Sequence, residues 1–225
     1  AQATGVAGNA PDGAVEAAKT NHAAHLAPSE FAAANILSAT KDDYAQREVI
    51  ELLPDGQTHF RTTVEEVNDS AVPWETYRFV CADFVNVTNV TDARYRPIHF
   101  ETTHESGRFH FFMTLNEPVP PGRRLSVTTE GTVTGQIRPT GAAGVFEYAM
   151  RHWPMADRRT RRIELHRLPP GARLLDKEPG DLQERTRDGR VELFINRLIP
   201  PGDSLEIIYH YRLDAPPATN VHSRP

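Results

Sequence analysis

Ten histidines in 225 residues invite a metal hypothesis. The densest group is His99, Glu101, His104, Glu105 and His110. Imidazole and carboxylate both bind zinc, but three or four of them must reach about 2 Å from one ion. The spacing decides whether they can. The stretch runs Ile-His-Phe-Glu-Thr-Thr-His-Glu-Ser-Gly-Arg-Phe-His-Phe-Phe-Met-Thr-Leu from Ile98 to Leu115. Its alternation predicts two strands joined by a two-residue primed turn at Ser106-Gly107, where glycine supplies a positive φ. That register sets Glu105 opposite Arg108, Thr103 opposite His110, Glu101 opposite Phe112 and His99 opposite Thr114. Side chains alternate across a strand, so Ile98, Phe100, Thr102, His104, Phe109, Phe111, Met113 and Leu115 form the expected core face. His104 then points away from His99 and His110, which stand roughly 13 Å apart at the usual rise. No metal site is expected in the hairpin, and Glu105 and Arg108 should form a cross-strand ion pair.

Other catalytic chemistry finds little support. Cys81 sits in Phe79-Val-Cys-Ala82, an apolar setting in which a thiol is ordinarily inert packing. No Gly-x-Ser-x-Gly elbow, phosphate loop or His-Glu-x-x-His pattern occurs. Glu65 and Glu66 are adjacent on an expected strand, so they face opposite ways and cannot share one proton-transfer task. The reading is therefore non-enzymatic, with no catalytic, cofactor or metal residue assigned.

Two groups could form a ligand or partner surface. One is the basic run Arg158, Arg159, Arg161 and Arg162, which could hold an anion but more simply solvates a turn leading into Ile163. The other is the aromatic set Trp74, Tyr77, Tyr95, Phe112 and Trp153, a carbohydrate platform if exposed and ordinary packing if not. Asn68-Asp-Ser, Asn86-Val-Thr and Asn89-Val-Thr match the glycan acceptor pattern, which matters only in a secretory setting.

Composition bounds the classes. Net charge is −5, with 25 Lys+Arg against 30 Asp+Glu. No basic stripe marks a nucleic-acid binder. No run approaches the roughly 18 apolar residues of a membrane span. A single cysteine excludes an intrachain disulfide and a cysteine-based zinc site. The start, Ala-Gln-Ala-Thr-Gly, reads as a processed or excised end.

Fourteen of the first forty residues are alanine, and Phe31 is their only aromatic. Residues 1–43 read as a spacer or partner-binding arm, with a short helix expected from Ser29 to Thr40. A period of two begins at Tyr44. Strands are expected at Arg47–Leu53, Thr58–Val67, Trp74–Phe84, Val85–Val90, Leu125–Thr134, Val145–His152, Arg161–Arg167 and Val191–Leu198. Leu205, Ile207, Tyr209, Tyr211 and Leu213 share one face of a last strand. Residues 136–144 hold two glycines and a proline and read as a linker. Residues 214–225 read as a tail.

A pattern recurs. Gly107-Arg-Phe-His-Phe leads through a strand to Pro120-Pro121-Gly122, and Gly189-Arg-Val-Glu-Leu leads to Pro200-Pro201-Gly202. The repeat predicts an all-β chain of two tandem antiparallel β-sandwich modules, residues 44–135 and 145–213, behind a partly helical N-terminal arm.

The segment Val90-Thr-Asp-Ala-Arg-Tyr-Arg-Pro-Ile-His-Phe, the Pro-Pro-Gly corners and Leu168-Pro-Pro-Gly-Ala-Arg-Leu carry a resemblance. Residues 44–213 resemble tandem β-sandwich modules of extracytoplasmic proteins: the lumenal part of ribophorin I, and the β-domains beside transglutaminase-like or M1-type peptidase domains. The catalytic residues of those families have no match here. The resemblance implies an accessory or binding module outside the cytoplasm. Together with the arm read from composition, the expected function is a non-catalytic protein-interaction or assembly module at an extracytoplasmic surface, with a protein partner or self-assembly through residues 1–43. A glycan-binding module is the alternative, and a hydrolase with an unrecognised site the third reading.

Overall fold

The computed structural model describes residues 44–82, 84–152 and 158–213. The arm at 1–43, Trp153 and the tail at 214–225 lie outside the described residues. Fourteen strands follow one another: β1 Tyr44–Leu52, β2 Thr58–Val67, β3 Trp74–Ala82, β4 Val85–Asp92, β5 His99–Glu105, β6 Arg108–Val119 and β7 Arg124–Val133. Then come β8 Ile137–Pro139, β9 Val145–His152, β10 Thr160–Arg167, β11 Ala172–Glu178, β12 Gln183–Arg187, β13 Arg190–Ile199 and β14 Leu205–Leu213. The chain is all-β, as expected from its alternation and its β-branched and aromatic content.

The hairpin takes its expected register. Glu105 pairs with Arg108, Thr103 with His110, Glu101 with Phe112 and His99 with Thr114. Ser106 and Gly107 both adopt positive φ, 52° and 71°, as a primed two-residue turn requires. The core face is only half realised. Ile98, Phe111 and Met113 are buried, but Thr102 and His104 are exposed. Both faces of the hairpin tip, residues 101–108, meet solvent, so packing secures only the hairpin's base.

Three sheets form. A seven-stranded sheet runs β12-β13-β10-β1-β2-β7-β4, a four-stranded sheet β11-β14-β9-β8, and a three-stranded sheet β3-β6-β5. Two hydrophobic cores separate them. The larger joins Ile50 and Leu52 of β1 and Leu193, Ile195 and Ile199 of β13 to Tyr148 of β9 and Leu205, Ile207, Tyr209 and Tyr211 of β14. The smaller joins Val90, Leu125 and Val127 to Ile98 and Met113, with Trp74, Tyr77 and Phe79 against them. Each core lies between part of the wide sheet and one smaller sheet, the sandwich arrangement.

One pair departs from the expected antiparallel pattern. β1 and β10 run parallel, from Tyr44 beside Thr160 to Glu51 beside Arg167. The wide sheet thus draws strands from both sides of residues 136–144, and Ile137–Pro139 of that stretch forms β8 against β9. Parallel neighbours need a long crossover rather than a tight turn, so no local signal announces them.

The Pro-Pro-Gly corners have a common task. The corner at Pro120 carries the chain from the three-stranded sheet into the wide one. Those at Pro169 and Pro200 carry it from the wide sheet into the four-stranded one. Proline has no N–H to extend a ladder, and the following glycines take φ of 71°, 76° and 82°, which turns the backbone out of the sheet it leaves.

Candidate functional site

The parallel pair creates a site that strand alternation alone does not reveal. It sets Glu48 beside Glu164, and β2 sets Thr62 on the other flank of Glu48. Both carboxylates face inward: Glu48 shares its face with Ile50 and Leu52 of the larger core, and Glu164 is wholly buried. From the facing sheet His152 brings Nε2 to 2.7 Å from Glu164 Oε1. One ligand atom from each of Glu48, His152 and Glu164 lies within 4.8 Å of the others.

A second rank holds these groups in place. The Thr62 hydroxyl donates to Glu48 Oε1 at 3.0 Å. Nε2 of the buried His166 lies 3.2 Å from Glu164 Oε2, and its Nδ1 lies 3.1 Å from the Tyr209 hydroxyl. Tyr148 and Tyr209 close edge-on around the His166 ring. Arg162 Nη1 stands 3.8 Å from Glu164 and 3.9 Å from Glu48.

Two carboxylates side by side in a core cannot behave alike. Burial, reinforced by the charge of Glu164, raises the Glu48 carboxyl above its usual range. Burial also pushes Glu164 up, but His152, His166 and Arg162 outweigh it and hold that carboxyl well below its usual range.

A cavity of about 220 Å³ opens next to this cluster. Glu48, Gln136 and Met150 stand at its wall together with Phe79, Met113 and Val127 of the smaller core. Its lining is mostly apolar. Cys81 also borders it, with its thiol pushed up to about 11 by burial, so at neutral pH it is a thiol rather than a nucleophilic thiolate.

The residues singled out in the sequence are dispersed. Trp74 and Tyr77 pack on the smaller core, and the Tyr77 hydroxyl donates to Glu66 at 2.9 Å. Tyr95 is exposed on the turn after β4, with Arg61 over its ring at 5.8 Å. Phe112 is exposed on the outer face of β6, with Arg78 over its ring at 5.3 Å. The basic run is not a solvated turn throughout. Arg158 bonds Glu66, Arg159 is exposed, Arg161 reaches Asn196 at 3.3 Å, and Arg162 stands beside the two buried glutamates. Among the acceptor patterns, Asn68 is buried, and its amide already donates to Val72 and Val119 carbonyls at 2.9 and 2.7 Å. That nitrogen is not free to carry a glycan in the folded chain. His210, at the surface, bonds Asp176 at 2.6 Å and lies 3.3 Å from Glu147.

Sequence reasoning missed the buried cluster. The available signal was a glutamate or histidine at an inward position of an apolar strand: Glu48 two before Ile50, and His152 two after Met150.

Neither a family model nor a curated protein matches the sequence. Solved structures share the fold. An M1 zinc metallopeptidase from Deinococcus radiodurans matches 74% of this chain with a TM-score of 0.50 and 12% identity. A point mutant of that enzyme matches with a TM-score of 0.51 and 11% identity, again over 74% of this chain. In both cases the chain spans only 41% of the matched structure. A native yeast LTA4 hydrolase matches 75% of this chain with a TM-score of 0.47 and 8% identity, over 29% of its own length. Among the described residues no helix is long and apolar enough to cross a membrane.

Proposed function

We propose that residues 44–213 form a non-catalytic β-module and that the chain associates outside the cytoplasm with a protein partner or with itself through residues 1–43, in the manner of a β-domain standing beside a peptidase domain. One observation carries the reading: three quarters of this chain shares the fold of a zinc metallopeptidase but covers less than half of it, and the sequence lacks the His-Glu-x-x-His pattern of zinc peptidases. The raised thiol of Cys81 gives no nucleophile to set against this. Glycan binding has less support, because Trp74 and Tyr77 are packed into a core while Tyr95 and Phe112 each lie against an arginine.

Two measurements test the reading together. The purified chain should leave a broad panel of peptidase and esterase substrates uncut, with and without added zinc. In light scattering it should show a mass well above 25.1 kDa, either by itself or with a partner purified from its source, and lose that mass when residues 1–43 are removed. Turnover by the chain, or a monomer that captures nothing in both forms, overturns it.

A further inference from the structure

We propose that Glu48, His152 and Glu164 hold one divalent transition-metal cation, with zinc as the reference ion, as a buried three-ligand site that ties β9 to β1 and β10. This goes beyond the docking role and does not rest on it.

The donor set comes first. Two carboxylates and one imidazole are ligands that zinc accepts. They come from three strands, and one atom of each lies within 4.8 Å of the others. All three residues are more than nine-tenths buried. Two of their atoms, His152 Nε2 and Glu164 Oε1, face each other as a close ion pair. They stand 2.7 Å apart, yet neither makes a well-aligned hydrogen bond among the described residues. Buried polar atoms seldom remain so without a partner that holds them.

The outer atoms are occupied. Glu48 Oε1 takes the Thr62 hydroxyl and Glu164 Oε2 is met by His166, itself backed by Tyr209. One oxygen of each carboxylate held from behind is the pattern by which proteins orient metal ligands. Tetrahedral ligands on one zinc stand about 3.3 Å apart. His152 must therefore withdraw a few tenths of an ångström from Glu164 while Glu48 closes in.

Electrostatics favours a cation here. Like charges directly opposite on neighbouring strands repel, and burial strengthens the repulsion. Arg162 is the rival cation, but its Nη1 stays 3.8 and 3.9 Å from the two carboxylates, beyond hydrogen-bond reach. Its guanidinium is itself mostly buried, with Nε and Nη1 lacking a hydrogen-bond partner among the described residues, so the ion must displace it from between the carboxylates. The adjoining cavity reaches Glu48 and supplies a path inward.

The test uses the full chain, stripped with a chelator and titrated with zinc. It should bind one ion per chain and melt at a higher temperature with the ion than without. X-ray absorption at the zinc edge should show nitrogen and oxygen ligands with a single imidazole and no sulfur. His152→Gln and Glu164→Gln should abolish binding at concentrations that saturate the wild type. Thr62→Val keeps all three ligands and should weaken binding about 10- to 100-fold. His210→Gln, which removes the surface His–Asp pair, should leave affinity unchanged. If the buried variants fail to fold, the absorption spectrum of the wild-type protein decides. No binding by the wild type, a spectrum with two or more imidazoles or with sulfur, or unchanged affinity in a folded Glu164→Gln protein overturns the proposal.

Discussion

The two cores are built from the same strand grammar and packed to different degrees. The larger one buries twelve apolar side chains, three of them tyrosines stacked or tilted on one another. The smaller one fully buries five and relies on seven more that remain half-exposed. The cavity of about 220 Å³ lies in the second region. The three-stranded sheet there also leaves Val80 and Phe112 on its outer face. The larger core surrounds the buried polar cluster, and the smaller one presents a thinner, more open sheet.

Large-to-small substitutions should separate the cores most strongly. Leu193→Ala, in the larger core with no exposed surface, should cost about 4–5 kcal/mol. Met113→Ala, beside the cavity, should cost about 2–3 kcal/mol, because its neighbours already have room to relax. Urea denaturation of both measures this. Equal costs would erase the distinction.

Gly131→Ala comes next. A Cβ there would stand 2.0 Å from the Asn86 carbonyl oxygen, which belongs to backbone and cannot swing aside. β4 shifts register against β7 between Val87 and Asn89, beside this contact. The expected loss is about 2–3 kcal/mol, and a melting temperature like that of the wild type would show that β4 can shift.

Asp92 ties the wide sheet to the turn before β5. Its carboxylate accepts from the Arg94 and Arg96 backbone N–H groups at 2.8 and 2.9 Å and from Arg96 Nε at 2.7 Å. Desolvation pushes this carboxyl up, but those hydrogen bonds and one from Asn116 outweigh it and bring the group down to about 2. The folded value lies below the unfolded one near 4, so the stabilisation is present above pH 4 and lost as pH falls through about 2. Asp92→Asn should therefore cost about 1 kcal/mol at pH 7, and the gap from the wild type should close between pH 4 and pH 2. A gap independent of pH would mean that the turn is held by other groups.

The smallest effect has opposite signs in the two regions. Val127→Ile, at the cavity wall, should stabilise by about 0.5 kcal/mol. Val145→Ile, buried in the strand that carries Tyr148, should destabilise by about 1 kcal/mol through overpacking. Thermal melts of the two variants decide the signs.

Local chemistry was legible in the sequence. Ser106-Gly107 set the turn, and strand alternation then fixed every pair of the hairpin through His99 and Thr114. The stripe Leu205, Ile207, Tyr209 and Tyr211 is buried as its period of two required. The Pro-Pro-Gly corners ended strands where proline must end them. These features depend on residues a few positions apart, whose geometry the backbone dictates.

The buried cluster was not legible. Glu48 and Glu164 are neighbours only because β1 and β10 pair in parallel, and His152 joins them from a different sheet. No turn links the two strands, so nothing local sets their register. The hairpin histidines are dense in sequence, but strand alternation scatters them over two faces. The three groups that do meet are far apart in the chain, and only the closing of one sheet over another brings them to a common point. The sequence determined the strands, their turns and which faces are apolar. The tertiary structure alone decided which charges are buried together, because burial is a property of the assembled layers.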